Sequence, residues 1–386
     1  MRVAVNAEQL LYRSPGGIGR YTAALLTLLP AAQPQIEMVP FTARHRDVEV
    51  EAALAAAGVP EAVRRRRVVL PWPRPVLYDG WHRLGRPRLA GRAGLTDLEL
   101  VHAPSVAVPP IRGSVPPLVV TVHDAAPELF PEAFPPRGRR FHALGLAAAG
   151  RRADLVITVS EAAAEEIVGH SAIPAGRVRV VPNPVVARPV DPATRDRVLE
   201  AAGLGSRPYV LWVGSLEPRK GVGTLVAAMA RLKRRDPASE VQTVLAGFDG
   251  WLGEDLIEAT DRQALGESLR QLGRVGDEEL WCLYSGATVF ALPSRHEGFG
   301  LPVVEAMAQG TAVVASDIPA VREVAGGAAL LVPPGDTDAW CEAIAGLLDD
   351  GRGRGRMAEA GLVRSREFSP ARWAQRTWAV YQEIGS

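Results

Sequence analysis

Cysteine is scarce: 386 residues hold only Cys282 and Cys341. Two thiols without metal-ligand spacing make neither a disulfide framework nor a zinc site, and they fit a reducing cytoplasm. No run of 18 apolar residues occurs, so no membrane-spanning helix is expected. An excess of one charge is missing too, with 44 basic residues against 43 acidic ones. A whole-chain nucleic-acid binder would carry a clear basic surplus. The opening Met1-Arg2-Val3-Ala4-Val5 runs directly into a strand and lacks the layout of a signal peptide. No internal repeat is evident, and the 38 glycines and 32 prolines are dispersed as turn punctuation.

What is present is enough apolar residue, 47%, to bury a core, in a chain long enough for two domains. Short Val/Ile/Leu/Ala runs alternate with helix-length amphipathic segments. Val3–Asn6, Leu100–His102, Leu118–Val122, Leu155–Val159 and Val178–Val181 read as strands of a first half. Tyr209–Val213, Gln242–Ala246, Val289–Leu292, Ala312–Ala315 and Ala329–Val332 read as strands of a second. Continuous apolar strands separated by helices imply parallel sheets covered on both faces, with ligands beyond the strand C-terminal ends. The proline-rich stretch Pro182–Pro208 places the boundary, giving domains over 1–190 and 191–370.

The densest motif is Arg295-His296-Glu297-Gly298-Phe299-Gly300-Leu301-Pro302-Val303-Val304-Glu305. It follows a short buried strand and opens a helix over Leu301–Gln309, with Pro302 in the first turn and Gly310 just past the end. Glu297 therefore sits on a strand-to-helix loop and Glu305 inside the helix. Gly298 and Gly300 let bare backbone approach a ligand, and a helix N-terminus suits phosphate. Carboxylates for hydroxyls and a helix end for phosphates fit a ligand carrying both.

This stretch resembles the Glu-x7-Glu signature of retaining GT-B glycosyltransferases of the family 4 (group 1) type. The resemblance implies an α/β fold, GT-B, with two Rossmann-like doubly wound domains facing a cleft. It makes 1–190 an acceptor-binding domain, onto which a closing helix at about 371–386 packs back, and 191–370 a nucleotide-sugar-binding domain. It places Glu297 on the transferred sugar and Glu305 on the ribose. It is concentrated in residues 209–335 and thinner over 1–190.

Other segments take roles from the same resemblance. Gly17-Ile18-Gly19-Arg20-Tyr21 after the first strand is similar to the family's glycine-rich loop, so Gly17 and Gly19 would lie near diphosphate and acceptor. His123, at the end of Val122-His123-Asp124, would contact the donor sugar or the reacting centre, with Asp124 beside it. His102 is expected to be structural or cleft-lining. In Gly214-Ser215-Leu216-Glu217-Pro218-Arg219-Lys220-Gly221, Arg219 and Lys220 would clamp the diphosphate and Ser215 would donate a hydroxyl. Many family members carry an Arg where Ser215 stands. The backbone of Val275 would meet the nucleobase, and Gly298, Phe299, Gly300 and Leu301 would line the donor. Gly247-Phe248-Asp249-Gly250-Trp251 would line the nucleotide pocket.

Asp336-Thr337-Asp338 spells a D-x-D, but it follows Pro333-Pro334-Gly335 and precedes a helix, where Asp is the expected cap. No metal site is therefore expected. The run Arg64–Arg67 and the arginines flanking Phe141–Ala149 read as a solvated face or as a contact for anionic lipid.

The resemblance thus implies a metal-independent retaining hexosyltransferase that needs no cofactor. It would move mannose or a related hexose from a nucleotide-diphosphate sugar, GDP-linked before UDP-linked. The acceptor would be a saccharide, a lipid-linked molecule or a small molecule, in glycan, glycolipid or natural-product synthesis. Cytoplasmic placement is expected, with peripheral contact at the inner membrane face as an option. The alternatives are a GT-B sugar phosphorylase or epimerase, and a catalytically silent sugar-nucleotide-binding subunit.

Overall fold

The computed structural model describes residues 1–89, 91, 94–111, 116–247 and 257–385. The chain forms two compact units, Met1–Pro184 with Pro370–Ser386, and Val185–Ser369. The first crossing therefore falls at Pro184, six residues before the expected boundary, and the closing helix Pro370–Gly385 belongs to the first unit.

Among the described residues the first unit holds seven parallel strands in the order β3-β2-β1-β4-β5-β6-β7. These are β1 (Arg2–Asn6), β2 (Glu37–Thr42), β3 (Val68–Val69), β4 (Leu100–Ala103), β5 (Leu118–Thr121), β6 (Leu155–Thr158) and β7 (Val178–Val180). The described residues of the second unit hold six, in the order β10-β9-β8-β11-β12-β13. They are β8 (Tyr209–Val213), β9 (Gln242–Ala246), β10 (Leu269–Gly273), β11 (Val289–Leu292), β12 (Val313–Ser316) and β13 (Leu330–Val332). Strand order reverses at β1/β4 and at β8/β11. Loops leaving these strands part to opposite sides there and open a crevice at the strand carboxyl ends.

Three strands, β2, β3 and β10, lie outside those expected from the sequence. Pro40 interrupts β2, yet the two-residue β3 pairs only with Phe41 and Thr42, so the proline lies where β2 has a single neighbour. The edge strand β10, Leu269-Arg270-Gln271-Leu272-Gly273, is only half apolar and paired on one side, so it reads as loop.

Leucines of the helix Gly16–Ala32 (Leu25, Leu26, Leu29) pack over Val3, Val5 and Met38, and the closing helix adds Trp373 and Tyr381 to the same core. In the second unit the helix Val222–Arg235 covers Val210 and Trp212, with Trp340 and Ile344. Among the described residues no helix is long and apolar enough to cross a membrane.

A polar chain runs through the first core. Tyr381 Oη lies 2.6 Å from His102 Nδ1, His102 Nε2 lies 2.7 Å from Thr121 Oγ1, and Thr121 donates to Tyr21 Oη at 3.0 Å. Hydroxyls on both ring nitrogens let a neutral imidazole stand where no charge could, and burial depresses the His102 pKa to about 3. Burial likewise brings His82 to about 4. Both folded values lie below the unfolded one near 6.5, so the unfolded chain binds more protons and stability falls as pH drops below about 6.5. Each histidine is expected to cost about 2 kcal/mol of stability at pH 5. Denaturant titrations at pH 7 and pH 5 check this, and a His102→Gln variant should show a shallower pH dependence.

Candidate active site

In the second unit the loops after β8 and β11 flank the crevice. The first ends in the 3-10 turn Pro218–Lys220, closed by Gly221 in the left-handed region at φ 64°. A Cβ on Gly221 would lie 2.0 Å from the Pro293 carbonyl oxygen, so only glycine permits this approach. The two backbones are also tied directly, with Arg295 N donating to Arg219 O at 2.7 Å.

That approach brings the charged side chains together. Lys220 Nζ donates to both oxygens of Glu297, at 2.7 and 2.8 Å, and Ser294 Oγ donates to Glu297 Oε1 at 2.7 Å. Arg219 Nη1 lies 3.9 Å from Glu297 Oε2, while its Nε donates to Glu217 Oε2 at 3.0 Å. Ser215 donates to the other Glu217 oxygen at 2.5 Å. Burial raises the Glu297 pKa, but Lys220 and Arg219 outweigh it and hold the carboxylate below its usual range. Burial, then Arg219, pulls the Lys220 ammonium below its ordinary value against the opposing effect of Glu297. Two cations thus face two carboxylates in a nearly neutral cluster.

Gly300, at φ 97°, starts the helix Leu301–Ala308, with Pro302 in its first turn and Gly310 beyond its end. Leu301 heads that helix, so its N–H is among the groups lacking a helical acceptor. Glu305 is buried one turn further on, where Tyr284 Oη donates to its Oε2 at 2.9 Å. The Phe299 ring is buried edge-on against Phe368, 5.5 Å between centroids, so the Phe299 side chain belongs to the core. Gly298 precedes it in the same loop, and Val275 lies on the turn between β10 and the helix Asp277–Gly286. Residues 248–251 of the expected pocket-lining loop lie outside the described residues.

In the first unit His123 follows β5, and its Nε2 donates to the Pro104 carbonyl at 3.0 Å. A carbonyl only accepts, so Nε2 carries the proton and Nδ1 is the ring's acceptor. Burial pulls the His123 pKa below its ordinary value, opposed by the Pro104 bond and by Asp124. The Tyr21 ring stands edge-on to His123 at 5.1 Å. Gly17 and Gly19 lie in the first turn of the helix Gly16–Ala32. Gly19 N donates to Pro15 O at 3.0 Å, and a Cβ there would strike Pro15 at 2.2 Å, so this glycine serves local packing. His102 is wholly buried in the polar chain described above.

Residues 15–188 match Glycosyltransferase Family 4 and residues 207–350 match Glycosyl transferases group 1. The O-antigen chain mannosyltransferase B of Escherichia coli is 30% identical over 373 residues, 96% of each chain. The chain belongs to the family 4, group 1 glycosyltransferases. It is also 34% identical to the MMP alpha-(1->4)-mannosyltransferase of Mycolicibacterium hassiacum, over 59% of this chain and 54% of that one. Sucrose-phosphate synthase from Thermosynechococcus elongatus is similar in structure, with a TM-score of 0.76 over 100% of this chain and 99% of its own at 23% identity. Anabaena HepE, solved in complex with UDP and glucose, gives a TM-score of 0.72 over 99% and 100% at 19% identity. The fold is GT-B, with two parallel-sheet α/β units.

For this glycosyltransferase the site differs from the sequence reading in its pairing. Ser215 is engaged by Glu217, and Arg219, four residues later, supplies the second cation beside Glu297. Glu217, Ser294 and Tyr284 had no assigned role. Glu217 stood within a recognised motif and Ser294 opens another, three residues before its partner Glu297, whereas Tyr284 is a hydroxyl on a separate helix from Glu305. Asp336 caps the helix Thr337–Asp349 by accepting from Ala339 N at 3.0 Å. The Arg64–Arg67 run is matched by acids: Arg64 and Arg67 by Glu51, Arg65 by Glu61, and Arg66 by Glu37.

Replacing Glu297 by Gln should strand Lys220 without its buried carboxylate, while Arg219 keeps Glu217, at a cost of about 3 kcal/mol or more. Chemical denaturation of Glu297→Gln and of the Glu297→Gln/Lys220→Met pair measures this. The double variant should recover part of the loss, and an unchanged single variant would mean that the ion pair is not formed in solution.

Proposed function

We propose that this chain is a retaining hexosyltransferase that transfers mannose or a related hexose from a nucleotide-diphosphate sugar to a hydroxyl acceptor. The observation that carries this reading is the buried Lys220–Glu297 pair at the β8/β11 crevice, flanked by Arg219 and the helix N-terminus at Leu301. In the free protein the pair satisfies itself. When a diphosphate arrives, Lys220 and Arg219 have a competing anion to bind, and the Glu297 oxygens become available to sugar hydroxyls. Glu305 holds the ribose in this reading, and the backbone at Val275 meets the base.

The reaction breaks the bond between the anomeric carbon and the phosphate oxygen. Negative charge collects on the departing diphosphate, where Lys220, Arg219 and the N–H groups from Leu301 onward stabilise it. Preorganised donors of this kind contribute about 3–4 kcal/mol each. The leaving phosphate oxygen takes the proton of the acceptor hydroxyl as that oxygen bonds to the same face of the anomeric carbon. Configuration is then retained and no protein nucleophile or metal is needed. His123, neutral with Nδ1 as acceptor, orients the transferred sugar. The names of the two mannosyltransferase relatives favour mannose, and with it GDP over UDP. The acceptor is a saccharide, a lipid-linked molecule or a small molecule.

Contact with an anionic membrane surface belongs to the same reading, but through other residues than the neutralised Arg64–Arg67 run. Val76 and Leu84 are 57% and 77% exposed, and they line an open groove of about 880 Å³ with Arg83, Arg86, Arg88 and a single acid, Asp79, which lies 3.8 Å from Arg83. Apolar side chains beside arginines suit an anionic interface.

Thermal unfolding with GDP, UDP, dTDP and ADP, without added metal, tests the donor site. Saturation at 100 times the dissociation constant should add about 2.7 kcal/mol of stability. No shift with any nucleotide in a folded sample would remove the reading in favour of a phosphorylase or a silent scaffold that binds no nucleotide. With the matching nucleotide sugar, Lys220→Ala should lose turnover by at least about a hundredfold. Undiminished turnover in that variant would refute the role of Lys220.

A further inference from the structure

Glu305 is only 4% exposed and sits in a helix that otherwise buries apolar residues. A carboxylate in such a place must have its orientation fixed from outside its own helix, because burial gives its oxygens no water to turn toward. One group that meets it is Tyr284, from the helix Asp277–Gly286, whose hydroxyl donates to Glu305 Oε2 at 2.9 Å.

Tyr284 is itself immobilised. It is fully buried, its ring stands edge-on to Phe290 at 5.4 Å between centroids, and its carbonyl accepts from Thr311 Oγ1 at 2.6 Å. Thr311 N in turn donates to Ala306 O, next to Glu305. Tyr284 is thus tied to the segment Glu305–Thr311 at both ends, by its hydroxyl to Glu305 and by its backbone carbonyl to Thr311. A tyrosine hydroxyl donating to an ionised oxygen is among the stronger neutral-to-charged hydrogen bonds, and it sets the plane of the carboxylate before any ligand arrives.

We propose that Tyr284 is a positioning residue for Glu305, and that the preset carboxylate confines the donor to ribonucleotide sugars. This rests on the reading of Glu305 as the ribose partner. A carboxylate free to turn could meet whichever hydroxyl a sugar offers. One held in a single plane fits a particular pair of hydroxyls, and a 2′-deoxyribose leaves buried acceptor capacity unmatched. Sites built to bond a hydroxyl reject the analogue lacking it far more strongly than apolar pockets reject a missing methylene. Deoxyribonucleotide donors of the dTDP class are excluded by this device.

The experiment is calorimetric binding of GDP against dGDP, and UDP against dUDP, to the full chain and to three variants. Wild type should prefer the ribonucleotide by about tenfold or more. Tyr284→Phe keeps the ring and loses the hydroxyl; its preference should fall to within about threefold while its affinity for the ribonucleotide also drops. Tyr209→Phe is the control for mere loosening. Its buried hydroxyl donates to Leu283 O at 2.6 Å, on the same helix, and does not touch Glu305. It should keep the wild-type preference. Glu305→Gln separates the two layers. If it retains the preference, Glu305 is not the ribose partner and the underlying reading fails. If it loses the preference while Tyr284→Phe keeps it, only the positioning role fails. A wild type indifferent to the 2′-hydroxyl overturns the inference outright, as does equal loss in Tyr209→Phe.

Discussion

The site depends on one close backbone approach, that of Gly221 to Pro293. It lets two loops from adjacent parallel strands meet with no side chain between them, and the Arg219–Arg295 backbone bond locks the meeting. Everything charged in the second unit's site follows. Lys220 and Glu297 come from strands separated by 76 positions of chain only because β8 and β11 are neighbours in the sheet. A parallel sheet delivers both strand ends to the same edge, and reversal of strand order there opens the space between the loops.

The cluster is costly to keep when empty, since two carboxylates and two cations lie at the protein interior. Its near neutrality explains how it persists. Each charge has a partner, and Ser215 and Ser294 take further carboxylate lone pairs. Exchange of partners, rather than creation of new charge, is then the natural response to an anionic ligand. The first unit uses a different device: His102 stays neutral because Tyr381 and Thr121 satisfy both ring nitrogens. Through Thr121 and Tyr21 this chain of hydroxyls ends beside His123. The last helix thereby helps to shape the carboxyl edge of the first sheet.

Two kinds of arginine illustrate how charge on paper differs from charge in space. Arg64–Arg67 reads as a block of four cations, yet each one meets a carboxylate, Arg65 within its own helical turn and the others on neighbouring elements. Arg83, Arg86 and Arg88 are spaced out in the sequence and gather around one groove with exposed Val76 and Leu84. Linear density says nothing about which acids lie across a turn.

Local signals were legible in the chain where the physics is local. Apolar runs marked nine strands, because a strand covered on both faces needs apolar residues along its length, and the edge strand β7 showed through the valines flanking Arg179. Pro302 and Gly310 bracketed a helix that runs Leu301–Ala308, because φ constraints act within a turn. The Glu297/Glu305 motif stood out because its residues are consecutive. β2, β3 and β10 were hidden, since a proline-bearing strand, a two-residue strand and a half-apolar edge strand carry no continuous apolar run. Tertiary structure alone decided that Lys220 pairs with Glu297, that Tyr284 holds Glu305, that Phe299 is core, and that Tyr381 reaches His102 across 279 positions. Sequence determines which groups can bond. Which ones do is settled only when sheet order brings distant strand ends to one edge and burial removes water as the alternative partner.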